Sequence, residues 1–117
     1  MRTIVIPPAI ELVQLDGAPV LDPSGAQVTG SFASFVRERS CDPAFAGDGG
    51  FTMQVVLAAV RVSEACAAEP GTSVKLDQAD WEQLVRATQN PNGGYHPAAA
   101  RCYVPHMLAI VNATLGT

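Results

Sequence analysis

The chain has 117 residues, a length that fits one domain and excludes a multidomain enzyme. Hydrophobic residues make up 48% and charged residues only 15%, against about 25% charged in an ordinary globular domain. Disorder is therefore excluded, and few polar side chains are left to cover a surface. A formal net charge of −4 and a pI of about 4.9 argue against nucleic acid as the main ligand.

Residues 2–6 (RTIVI) and 10–15 (IELVQL) are short and rich in β-branched side chains, which predicts two strands joined across Pro7 and Pro8. The same two prolines and Glu11 cut the first apolar run too early for a secretory h-region, so mature protein is expected here. Turn sequences follow at 16–19 (DGAP) and 22–25 (DPSG), with Val20-Leu21 and residues 27–29 able to continue a meander. The first 29 residues thus read as a β-rich element within a single domain spanning 1–117.

Ser31 precedes a helix predicted over 32–40, with Phe32, Phe35 and Val36 at i, i+3 and i+4 on its buried face. Residues 42–50 (DPAFAGDGG) read as a loop whose Phe45 returns to the core. A longer helix is predicted over 51–69, ending at Pro70-Gly71. Its polar residues Gln54, Arg61 and Glu64 form one narrow stripe, and the rest is almost wholly apolar. Such a helix is either central in the fold or covered by another subunit. Residues 73–76 (SVKL) predict a strand that pairs with the N-terminal element. Asp77 is the expected N-cap of a third helix, whose apolar stripe is Trp81, Leu84, Val85 and Thr88. Pro97 opens a fourth, predicted to run to about residue 115, with a kink or break at Pro105. The expected class is α+β: about four helices packed on a small N-terminal antiparallel β element.

Chemistry is harder to find. Cys41, Cys66 and Cys102 lack a C-x-x-C spacing and read as small hydrophobes in a reducing cytosol. His96 and His106 stand at no metal spacing; His96 reads as a cap or surface residue and His106 as a part-buried, hydrogen-bonded one. The glycine-rich stretches lack the residues of a phosphate loop or dinucleotide fingerprint, and Asp42 and Asp48 are too few for a calcium loop. No serine sits in a G-x-S-x-G context. No catalytic residue, metal ligand or cofactor is therefore assigned, and an enzyme is not expected. The longest apolar run is six residues, so no membrane span is predicted.

Candidate partner-binding residues are Arg37, Arg39, Arg61 and Arg101, which would form a ring of guanidinium groups for a partner's carboxylates. Trp81 joins them as an anchor. An alternative is a small-molecule or regulatory pocket between the C-terminal helices, lined by Trp81, Tyr95, His96, Tyr103 and His106.

The order of elements, with "LDQADWEQL" and the "NPNGGYHPAAA" lead-in to a final apolar helix, resembles small tailed-bacteriophage assembly and structural proteins, the tail assembly chaperones among them. The likeness covers roughly residues 30–115. It implies a non-enzymatic role in the host cytoplasm or virion, acting through apolar helix faces on a phage structural or tape-measure protein, or by self-association. It implies no catalytic residues.

Overall fold

A computed structural model describes residues 1–115. The expected α+β class holds, in the order β1 (Arg2–Val5), β2 (Ile10–Glu11), β3 (Thr29–Gly30), α1 (Phe32–Ser40), α2 (Pro43–Ala46), α3 (Met53–Ala65), β4 (Ser73–Leu76), α4 (Gln78–Gln89), α5 (Pro97–Val111) and β5 (Thr114–Leu115). β1 is the middle strand of an antiparallel sheet, β4-β1-β5, pairing Arg2 with Leu76 and Val5 with Ser73 on one side and Thr3 with Thr114 on the other. The period of two along β1 sends Ile4 into the core, fully buried, and Val5 outward.

The sheet carries one apolar cluster between itself and the helices. Ile4, Ile6 and Leu76 meet Phe32, Phe35 and Val36 of α1, Val62 of α3, Leu84 of α4 and Ile110 of α5. α1 forms where the phenylalanine spacing predicts it. Ser31 takes the N-cap, its side-chain oxygen accepting from the Ser34 amide at 3.1 Å.

Several expectations are corrected. β1 and β2 are not hairpin partners, because Pro7 and Pro8 carry the chain away from the sheet; β2 pairs with β3 instead. Residues 10–30 form an arm of three passes, with turns at 16–17 and 22–25 where Gly17 and Gly25 supply positive φ. The arm's centre is a closed triangle of backbone bonds, Leu12 to Val28 (2.9 Å), Val28 to Val20 (2.8 Å) and Val20 to Leu12 (3.0 Å). The loop expected at 42–50 contains the one-turn helix α2, because Asp42 caps it and Pro43 presets its first φ. Its Phe45 is fully buried, as the sequence indicated. The helix expected over 51–69 is shorter, with Thr52 as N-cap and Cys66 as C-cap. α5 stops at Asn112 instead of running to 115, so that Thr114 and Leu115 can join the sheet; Pro105 lies inside α5 on its exposed side without breaking it. Asp77 stands at the α4 N-cap, but its side chain makes no cap bond.

Where the arm meets the body, Gly30 lies under Tyr103. A Cβ at position 30 would stand 2.6 Å from the Tyr103 hydroxyl and 3.0 Å from its ring carbons. That ring has little freedom to move, since it stacks on Phe35 at 5.1 Å and touches His106 at 5.7 Å. Gly30→Ala is expected to destabilise the fold by about 1–3 kcal/mol. An unchanged urea midpoint would show that Tyr103 can yield.

Candidate functional site

The most distinctive surface is built by α3. A helix repeats every 3.6 residues, so Ala58, Val62 and Cys66 share one face and are buried. Met53, Val56, Leu57 and Val60, at i, i+3, i+4 and i+7, share another and remain exposed at 77%, 46%, 49% and 45%. Phe51, just before the Thr52 cap, is also exposed. Residues 49–60 carry no charge at all. Of the two alternatives left by the sequence, the central position is therefore excluded. α3 lies at the surface with an apolar face turned outward.

A groove of about 370 Å³ runs beside this face, between α3 and the end of α1, and its lining includes Arg37, Cys41, Phe51, Val56 and Val60. The polar atoms near its base are already paired. The Ser40 hydroxyl donates to the Arg37 carbonyl at 2.9 Å and lies 3.1 Å from the Ser63 hydroxyl. What the groove offers a partner is apolar contact, rimmed by the opposite charges of Arg37 and Glu64. A second apolar groove, about 590 Å³, lies between the arm and the start of α5, with Leu12, Leu15, Val20 and His96 in its lining.

The expected ring of arginines does not form, because most of its members have partners inside the fold. Arg39 is buried, its guanidinium over the rings of Tyr95 at 5.0 Å and Phe35 at 5.9 Å. Its ion partners are Asp42 at 3.6 Å and Glu38 at 3.5 Å. Arg61 makes two bonds of 3.0 Å to the largely buried Asp80 carboxylate, and this pairing raises the Arg61 pKa. Arg101 donates to the Gln14 carbonyl at 3.3 Å, tying α5 to the arm. Trp81 donates its indole N–H to the Ile110 carbonyl at 2.8 Å, with the Arg2 guanidinium 4.0 Å from its ring centre. Of the five candidates, Arg37 lies beside the α3 groove, and Arg61 sits at the C-terminal edge of the apolar stripe.

The pocket imagined between the C-terminal helices is also corrected. Tyr95, Tyr103 and His106 do come together, but with Phe35 they form packed core: Phe35 stacks on both tyrosines and lies 5.8 Å from His106. Burial raises the pKa of both tyrosines. His96 is exposed at the N-cap position of α5, and Trp81 lies against Arg2.

His106 is fully buried, and its Nε2 lies 3.0 Å from the Pro8 carbonyl, an acceptor, so Nε2 carries the proton. Nδ1 has no partner, and burial lowers the pKa below 6.5. The folded state therefore favours the neutral ring, while the unfolded state takes up a proton as pH falls past 6.5. Its contribution is complete above 6.5 and is lost progressively below, down through the folded pKa. The expected loss by pH 5.5 is at most about 1.4 kcal/mol. His106→Gln should flatten the fall in thermal midpoint between pH 7.5 and 5.5; an equal fall in both proteins would contradict this.

No group of three or more His, Cys, Asp or Glu side chains is arranged to hold a metal ion among the described residues. Burial pushes the Cys66 thiol up to about 12, far from a reactive thiolate. No helix is long and apolar enough to cross a membrane among the described residues.

No family model matches the chain, and no curated protein or solved structure matches it either.

The exposed residues of the α3 face were not singled out from the sequence, although the charge-free run 49–60 marks them. Periodicity reports that a helix has faces. It does not report which of two apolar faces the rest of the chain will cover.

Proposed function

We propose that this protein is a non-enzymatic assembly or structural factor that works by docking through the outward face of α3. The resemblance noted from the sequence points to tailed-bacteriophage assembly in the host cytoplasm or virion, with tail assembly chaperone action as the specific form. The observation that supports the reading is the exposed stripe of Met53, Val56, Leu57 and Val60 beside an apolar groove. Contiguous exposed apolar surface on a small domain marks a contact site. A chaperone of this kind would cover an aggregation-prone helix of a tape-measure protein with the same face.

Co-expression with the tape-measure protein of a tail gene cluster tests the proposal. The wild-type chain is expected to raise the soluble yield of that protein and to co-purify with it. Val60→Glu is expected to abolish both effects while leaving the fold intact, because Val60 is half exposed. A Val60→Glu variant as effective as wild type would remove α3 from the reading. No effect of wild type on any tail structural protein would overturn the phage setting.

A further inference from the structure

We propose that in the free protein the α3 face is covered by a second copy of this chain, helix against antiparallel helix about a two-fold axis, which a client helix displaces. The inference rests on the reading of that face as an interaction surface.

A two-fold contact uses the same patch on both sides, so the patch must complement itself. The α3 stripe does so in its spacing. Met53, Val56, Leu57 and Val60 are symmetric about the point between Val56 and Leu57. An antiparallel copy centred there sets Met53 against Val60 and Val56 against Leu57, apolar to apolar throughout. Arg61 and Glu64 then fall beyond the stripe, toward the rim. The face also carries a ridge and a hollow side by side, since the groove against α1 borders the stripe. Val56 and Val60 line that groove as well as the stripe, so a copy that covers the stripe also covers the edge of the groove.

Charge and area agree. The chain carries a net charge of −4, but the face itself is uncharged from 49 to 60 and rimmed by Arg37, Arg61 and Glu64. A strongly charged partner would gain nothing there, and a second copy brings no like charge against the stripe. At about 200 Å² for a fully exposed large apolar side chain, the five side chains from Phe51 to Val60, 44% to 77% exposed, present about 500 Å². A standard interface buries about 800 Å² per partner, of which about 57% is apolar, so this patch supplies the apolar share of one side.

Sedimentation equilibrium of the full chain is the test, run from low micromolar to about 200 μM. The expected species has twice the 12.2 kDa chain mass. Leu57→Glu would place two carboxylates beside the axis and weaken association about a hundredfold or more, since the change counts once in each copy. Its urea midpoint at low concentration should match wild type, because Leu57 is half exposed. A second variant fixes the register: Met53→Cys with Val60→Cys, in a Cys41→Ser background that removes the exposed native thiol. The two new cysteines lie about 10 Å apart along one helix, too far to bridge within a chain. Oxidation with diamide is expected to give a covalent dimer. Chain mass at every concentration overturns the proposal, as does a dimer that Leu57→Glu leaves intact. If the chain is monomeric yet Val60→Glu still abolishes tape-measure solubilisation, the docking function stands and the second copy does not.

Discussion

Phe45→Ala is expected to cost about 3–5 kcal/mol, enough to remove much of the stability of a domain this size. Phe45 is fully buried, yet it comes from α2, a single turn. A four-residue helix has no stability of its own. It persists because Phe45 enters the core and because both ends are fastened from outside. Asp42 accepts from the Ala44 amide at 2.8 Å, and Arg86 of α4 donates to the carbonyls of Ala44 at 2.6 Å and Phe45 at 2.9 Å. Truncating the ring leaves a cavity that so constrained a segment cannot collapse to fill. A urea midpoint unchanged within about 0.5 kcal/mol would mean that α2 is not an integral part of the core.

Asp42→Ala is the second large effect, expected at about 3–5 kcal/mol. The carboxylate joins three segments. One oxygen accepts from the amides of Ala44 and Asn92, at 2.8 and 3.0 Å, and the other faces the Arg39 guanidinium at 3.6 Å. The Arg39 and Asp42 side chains are only 10% and 9% exposed, so the alanine would leave a buried cation with the well-exposed Glu38 as its remaining ion partner. Nε and Nη1 of Arg39 already lack hydrogen-bond partners. Asp42→Asn keeps an oxygen for the two amides and should cost clearly less than alanine. Arg39→Met combined with Asp42→Asn should recover most of the loss, because an apolar chain of similar length suits the Phe35 and Tyr95 rings. Simple additivity in the double variant would argue against the pair acting as a unit.

Both predictions concern a region that the sequence disclosed only in part. α1 was legible to the residue because its signals are local: Ser31 as cap, then Phe32, Phe35 and Val36 on one face. The strand at 73–76 was legible from alternation and its flanking turns. Arg39 was not. Its neighbours on the helix, Arg37 and Glu38, suggest a solvated face; the Tyr95 ring that covers it comes from far along the chain, and Asp42, although three residues on, stands just past the end of α1. β5 was hidden for a similar reason, since its two residues pair with β1 from more than a hundred positions away. The outward apolar face of α3 was half visible: the lack of charge showed in the sequence, but its direction depends on α1 and α4 packing on the other side.

The arm has a consequence of a different kind. Between residues 7 and 29 no side chain is fully buried, so the arm's shape is held chiefly by main-chain bonds. The Leu12, Val20 and Val28 triangle makes those bonds interdependent, since each of the three residues both donates to one pass and accepts from another. Losing one pass removes two of the three bonds and leaves the other two passes joined by only one of them. The arm should therefore open as a single small unit, at a free energy well below that of the body. In hydrogen exchange, the amides of Leu12, Val20 and Val28 would exchange together and ahead of the Phe35 and Val62 amides. Residues 10–30 would then be the part of the molecule that melts and reforms while everything else stays folded.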